Sequence, residues 1–395
     1  MVMALNMQMT IISYFVYKLT NDVFPLGMLG LAEVIPAIGF SFISGHFVDI
    51  NEKKGVLIKC TIGYLMLSLF FMMLSWPQFY HQAGLRWTVW LLYFGVFVGG
   101  ALRAFFSPAS FSLLGLIIPR KEYPNAGTWS SSAWHIGAIL GPIVAGSLIA
   151  LTRNEVSLLV VFCIQLFSMG AILLIPKQPI MKKGKEPILK SLQEGLRFVF
   201  RTKIILTALS LDMFAVLFGG ATALLPVYAK DILRVNEVGF GWMRAAPGIG
   251  AIIMSAFLVF IPLKTKPGIK LLVCIAGFGV STIVFGISRN FALSISMLML
   301  GGMFDQISVI IRGTLLQLQT PDEMRGRVSA VSTMFISSSN ELGAAESGLT
   351  AKWMGTVPAV VFGGIMTLVV VGITHFSVPG LRKYKYDITS KENKT

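Results

Sequence analysis

The chain has 395 residues, 55% of them hydrophobic and only 13% charged, with 33 Lys and Arg against 18 Asp and Glu. A mean hydropathy of +0.75 excludes an ordinary water-soluble domain of this length. The net charge of +15 would suit a nucleic-acid partner, but the placement of the basic residues excludes that reading, and three cysteines far apart in apolar sequence exclude a disulfide framework or a metal-like cluster.

Crossing ~30 Å of hydrocarbon takes about 20 helical residues at ~1.5 Å each. In lipid each segment must satisfy its own backbone amides, so spanning segments are helices. The apolar runs predict an all-α integral membrane protein with twelve transmembrane helices, at 1–19, 25–47, 56–76, 88–117, 124–151, 155–175, 204–229, 239–262, 269–288, 291–318, 328–351 and 357–377. The first begins at Met1 already in apolar sequence, with no basic anchor before it. It is expected to be the remainder of a longer helix, from a late start codon or an N-terminal truncation. No cleavable signal peptide is expected.

Assigning the even-numbered loops and the C-terminal tail to the cytoplasm gives those regions 23 of the 33 Lys and Arg and leaves seven in the outer loops; Arg103, Arg244 and Arg312 lie within or at the ends of apolar segments. This is the bias of positive loops toward the cytoplasm, and it predicts that both termini are cytoplasmic.

The longest polar stretch, 176–203, holds eight of these basic residues. Leu192, Leu196 and Phe200 recur at four-residue spacing there, which predicts an amphipathic helix on the inner membrane face. It separates an N-terminal set of six helices at 1–175 from a C-terminal set at 204–378, followed by a tail at 379–395. A shift of 202 residues lays Pro119 on Pro321, Gly141 on Gly343 and Gly146 on Gly348. Such symmetry marks transporters whose two bundles rock about a midplane site; chance alignment of Gly and Pro is the competing explanation.

Ionisable groups at membrane depth cost ~2.5 kcal/mol or more, so they normally face a bundle interior or an aqueous cavity. In the tenth segment Gly301, Asp305, Ser308 and Arg312 share one face, with Asp305 and Arg312 about 10 Å apart along the axis. In the fourth, Gly99, Arg103 and Ser107 share a face, and the 202-residue shift sets Arg103 opposite Asp305, so a pair between them is conceivable; structural roles satisfied by polar neighbours are the alternative. Asp212 lies on a strip with Ala215, Gly219 and Ala223, and Glu33 stands three residues before Pro36. Either carboxyl is a candidate proton carrier, with a structural cap the alternative for Asp212. The runs around Asn340 and Glu341, and around His135, are polar enough to line a cavity, although His135 can equally be a packing residue.

Two local motifs carry a resemblance. Gly45-His46-Phe47-Val48-Asp49, then Lys53-Lys54-Gly55, resembles the signature loop of the major facilitator superfamily, with Ile50 where that family usually has Arg. Asp49 with Lys53 and Lys54 would there form a cytoplasmic gate, and Gly45 would let helices close tightly. Gly137, Gly141, Pro142 and Gly146 are similar to the family's exporter motif, with Ala145 replacing one Gly. The runs 210–220, Arg244-Ala245-Ala246-Pro247, 320–329 and 339–343 look like the branch that contains enterobactin exporters and macrolide efflux pumps.

That resemblance covers nearly the whole chain. It implies two pseudo-symmetric six-helix bundles in a bacterial inner membrane, and a secondary active transporter that exchanges protons for an exported amphipathic small molecule, such as a drug or siderophore, by alternating access. Asp212 and Glu33 are the proton-coupling candidates. Arg103, His135, Asp305, Arg312, Asn340 and Glu341 are the cavity candidates. The expected partners of this monomer are protons, a small-molecule substrate and the bilayer, with no cofactor, no metal and no nucleic acid. No GxxxxGK[ST] loop supports direct use of ATP, and no HExxH or nucleophile arrangement supports an enzyme. A proton-symporting importer and a lysolipid flippase on the same fold are the rival readings.

Overall fold

In the computed structural model, which describes residues 1–119, 122–176, 188–260, 266–321 and 324–384, the predicted apolar segments are mainly helical over their described residues, and the described residues contain no strand. In chain order these are α1 (Val2–Thr20), α2 (Phe24–Ile50), α3 (Lys53–Ser75), α4 (Pro77–Ala83), α5 (Leu85–Ile117), α6 (Tyr123–Leu151), α7 (Asn154–Leu174), α8 (Ile188–Arg201), α9 (Lys203–Gly219), α10 (Leu225–Val227), α11 (Glu237–Phe260), α12 (Pro267–Ile287), α13 (Phe291–Gln319), α14 (Arg325–Met354), α15 (Thr356–Ser377) and α16 (Pro379–Lys383). Ten helical stretches are long and apolar enough to cross a membrane. The other two predicted spans, α1 and α14, are helices of 19 and 30 residues but more polar, α14 because of its Ser337–Glu341 run.

Two details depart from the sequence reading. The stretch 77–87 is not a plain loop but holds the short helix α4, started by Pro77 at its first position. The seventh span is not one continuous helix. α9 stops at the Gly219–Gly220 pair, one 3-10 turn follows over Ala221–Leu224, and the chain passes through α10 into a π-turn at Tyr228–Ile232. Two glycines favour helix weakly, and Pro226 has no N–H to return to the preceding turn, so the regular ladder breaks there.

The chain divides into two compact units. The first comprises Met1–Lys190, Thr222–Ala246 and Glu341–Thr356; the second comprises Ser191–Ala221, Pro247–Asn340 and Val357–Thr395. Since the first unit draws on both ends of the sequence, helices distant in the chain meet inside it.

In the first unit the helices meet across small residues, as close approach in membrane helices requires. The exporter-like stripe of α6 lies on α1: a methyl at Gly141 would sit 2.8 Å from Cβ of Asn6 and 2.9 Å from the Met3 carbonyl. Farther along α6, a methyl at Gly146 would lie 2.9 Å from Cα of Gly241 in α11, and one at Gly27 of α2 would lie 2.9 Å from Cα of Gly348 in α14. Polar contacts accompany these approaches. Tyr14 donates to Glu237 at 3.0 Å, Tyr17 bonds Asp231, and Lys230 donates to Asn21 at 2.6 Å. Gln8, Ser68 and Gln165 form a buried hydrogen-bonded trio that ties α1, α3 and α7 together, with Ser68 donating at 2.9 Å and Gln165 at 3.0 Å to the Gln8 side-chain oxygen.

In the second unit Ala208, Leu211 and Ala215 of α9 pack with Leu271, Leu272 and Ile275 of α12 and Ile311 and Leu315 of α13. The small strip read around Asp212 is where neighbours approach: Thr367 of α15 donates to the Ala215 carbonyl at 3.2 Å, and the Phe278 ring covers Gly219. The amphipathic helix α8 buries Val199 with Val328 and Val331 of α14, beside Leu196, and Glu194 pairs with Arg327. Phe200, read as part of its apolar stripe, is exposed instead, because the packed face turns toward Val199. The polar start of that connector, 177–187, lies outside the described residues, as does the tail beyond Tyr384.

Candidate functional site

The intramembrane charges gather into two clusters, one in each unit. The first is assembled by helix approaches that glycine permits. The backbone of α5 at Gly100 lies against the Glu33 carbonyl and the Pro36 ring of α2. On the other side of α2, a methyl at Gly30 would sit 2.8 Å from both Cβ of Ala344 and the Glu341 carbonyl of α14. Glu33, Arg103 and Glu341 are thereby brought within reach of one another. One guanidinium nitrogen of Arg103 lies 2.6 Å from Glu33 and 3.2 Å from Glu341. Arg244 of α11 stands within electrostatic reach of both carboxylates and donates to Ser13 of α1 at 3.5 Å. Two carboxylates thus face two guanidinium groups.

The Arg103 side chain is 48% exposed, whereas Glu33 and Glu341 are 16% and 17% exposed. A guanidinium open on one side in the middle of a 33-residue apolar helix needs an aqueous surface there, since lipid would be prohibitive. Such a pair can exchange partners: a substrate anion can take Arg103, or a substrate cation can take one of the carboxylates.

The second cluster is drier. Arg312 lies 2.8 Å from Asp212, and each side chain is 5% exposed. Ser308 closes the triangle, donating to the other oxygen of Asp212 at 3.3 Å while accepting from Nε of Arg312 at 3.3 Å. Asp305, one turn before Ser308, is half-buried and within electrostatic reach of both Asp212 and Arg312. Arg103 belongs to the first unit and Asp305 to the second. Arg103 is held by Glu33 and Glu341, carboxylates nearer to it in the packed unit than sequence symmetry could indicate.

The other predicted residues fall as follows. His135 is half-exposed with its ring against the edge of Trp134, and Asn340 is exposed on α14. Within the first unit, Leu114, Ile118, Glu122, Asn125, Trp129 and Ser130 line an open apolar cavity of about 550 Å³. In the gate motif Lys54 donates to the Leu173 and Ile175 carbonyls at 3.0 and 2.6 Å, capping α7, and Lys53 is buried and donates to the Asn51 carbonyl at 3.2 Å. The Asp49 side chain lies outside the described residues, and a methyl at Gly45 would meet nothing within 4 Å among them.

Sequence reasoning missed Arg244 and Ser13 as site residues. The available signal was charge balance: Glu33 and Glu341 at membrane depth need two cations, and Arg103 supplies one.

A family model described as Major Facilitator Superfamily matches residues 1–344. The enterobactin exporter EntS of Escherichia coli (strain K12) is 24% identical over 346 residues, spanning 85% of this chain and 80% of that protein. The enterobactin exporter EntS of Shigella dysenteriae serotype 1 (strain Sd197) is likewise 24% identical over 346 residues, with the same coverage. Among solved structures, a POT family transporter in complex with a thioalcohol-conjugated peptide superposes with TM-score 0.70 at 12% identity, covering 97% of this chain and 96% of that one. A bacterial homolog of the human lysosomal transporter Spinster, inward-facing and unoccupied, superposes with TM-score 0.65 at 15% identity, covering 96% of this chain and 95% of that one.

Proposed function

Because the chain belongs to the major facilitator superfamily of secondary transporters, we propose that it exports an amphipathic small molecule, such as a drug or siderophore, in exchange for protons by alternating access. The observation that carries this reading is the Glu33–Arg103–Glu341 cluster. It takes side chains from helices near both ends of the sequence, sits at membrane depth, and leaves one guanidinium open. Its balanced charges let a polar substrate group displace one partner without stranding a charge in the apolar interior. Two enterobactin exporters among the relatives support the outward direction. The α6 stripe at Gly137, Gly141, Pro142 and Gly146 supplies a bent, closely packed helix suited to rocking. Glu33 and Asp212, the expected proton carriers, are both engaged by arginine, so proton binding at either would release its guanidinium.

The test is transport by the purified full-length chain in liposomes with an imposed pH gradient, using ethidium, a macrolide and a catecholate siderophore as probes. Gradient-dependent movement of one probe against the proton flow is the expected result. Movement of a probe with the proton flow would make the protein an importer. Redistribution of a fluorescent lysolipid with none of the three probes moving would make it a flippase.

A further inference from the structure

The run His375-Phe376-Ser377-Val378-Pro379 ends one helix and turns the chain back. Pro379 has no N–H to continue the ladder of α15 and restricts Val378 before it, so α15 stops at Ser377 and the short helix α16 starts at Pro379. α16 then lies as a strap on the second unit. A methyl at Gly268 of α12 would run into the Leu381 carbonyl, so the two main chains touch directly. Leu381 itself is fully buried in the cluster of Leu271 and Leu272 of α12, Leu211 of α9 and Ile311 of α13. Two polar bonds hold the strap beside that anchor. Gln319 of α13 donates to the Tyr384 hydroxyl at 2.7 Å, and Nη1 of Arg382 lies 3.1 Å from Nε2 of His375.

Arginine has five N–H donors and no acceptor, so this second bond requires Nε2 of His375 to be the bare, accepting nitrogen of a neutral imidazole. Imidazole is the side chain whose charge ordinarily changes between about pH 5 and 8. A proton on Nε2 removes the acceptor and sets two cations face to face. The amide-to-phenol bond of Gln319 has no such charge to gain. The geometry points to the His375–Arg382 bond as a pH-operated latch, which keeps α16 docked while the imidazole is neutral and releases it in acid. The step is one proton taken from water onto Nε2, with the Arg382 guanidinium turning to solvent. It does not depend on what the protein transports or in which direction.

The charged residues at this end supply no substitute for the lost acceptor. Apart from His375, α15 has no titratable side chain. α12 brings Lys266 and Lys270 to its start and α9 begins at Lys203, all cations. Asp212 of α9 lies nine residues, about 13.5 Å of helix, farther along and is engaged by Arg312 at 2.8 Å. The Lys383 side chain and the tail after Tyr384 lie outside the described residues. Among the described residues no carboxylate bonds His375, whose ring otherwise stands edge to face with that of Phe376. A cation near a helix C-terminus is favoured by the helix dipole. That attraction acts on His375 whether α16 is docked or not, so it leaves the docking equilibrium unchanged.

Amide hydrogen exchange of the full-length chain in phospholipid liposomes reads the latch on the peptide covering Val378–Tyr384, after correction for the intrinsic pH dependence of exchange. Protection there should fall about tenfold between about pH 8 and about pH 5.5, while a peptide from α7 in the first unit keeps its protection. His375→Gln, whose amide oxygen accepts at every pH, should hold the wild-type alkaline value throughout. Arg382→Met should show the acid value at both. Gln319→Leu should lower protection at both and keep the roughly tenfold ratio. The other histidines, His46, His81 and His135, remain in His375→Gln, so a pH response of theirs would persist in it. Equal wild-type protection in acid and alkali, a ratio that survives His375→Gln, or a parallel loss in α7 would overturn the latch.

Discussion

Replacing Arg312 by Met should be among the most destabilising single changes in the second unit. Arg312 and Asp212 are each 5% exposed and 2.8 Å apart, with Ser308 as the only other described polar partner of the pair. Removing one member of such a pair leaves an uncompensated buried charge and costs about 3–5 kcal/mol, while replacing both by apolar residues of similar volume is often neutral or stabilising. Arg312→Met and Asp212→Leu alone should therefore each lower the melting transition strongly, and the double variant should melt above both. Acid should relieve the loss in Arg312→Met, because protonating Asp212 and Asp305 removes the stranded charges. It should not relieve Asp212→Leu, where a guanidinium remains. Intrinsic fluorescence from the seven tryptophans during heating in detergent reads all four proteins. Single variants that lose no more than the ~1 kcal/mol of a surface ion pair, or a double variant at the sum of the singles, would show that the site is wetter than the exposures indicate and refute the reasoning.

Gly30→Leu should separate α2 from α14, where even a methyl would come 2.8 Å from Ala344, costing ~1–3 kcal/mol and abolishing probe efflux in liposomes. Gly45→Leu, with nothing within 4 Å of its methyl position among the described residues, should leave stability at the wild-type level in the same melts. Lys54→Gln removes the cation from the end of α7 and should cost about 0.3–1 kcal/mol, read as faster amide exchange in the last turn before Ile175. His135→Ala should change stability by less than ~0.5 kcal/mol, since its described contact is the edge of Trp134; a larger loss would mean the ring has a structural partner.

Much of the fold was legible because a bilayer sets one length for every element. Runs such as 155–175 and 269–288 announce themselves by hydropathy alone, and they fold as α7 and α12 nearly to the residue. The break after Gly219 was harder to read. Its cause is two glycines and a proline that elsewhere in the chain are absorbed into helices, as Pro36, Pro108, Pro142 and Pro247 are. The face of α8 was misjudged because four-residue spacing marks Phe200 as apolar without saying which neighbour arrives. At the site, the tenth segment was legible: Asp305, Ser308 and Arg312 do share a face. The partner of Arg103 was not, since internal symmetry relates positions by evolution of the repeat while ion pairs follow spatial proximity. Glu341 and Arg244 lie 238 and 141 positions from Arg103, and no local pattern reports contacts over that separation.

The contacts of Gly27 with Gly348 and of Gly146 with Gly241 join helices through bare main chain. Surfaces of that kind resemble two smooth plates. At those two points, parting would withdraw no side chain from a hole. Selection for speed of opening would then act on the short polar links nearby, Tyr14 with Glu237 and Lys230 with Asn21, which fasten the plates and are cheap to undo one at a time.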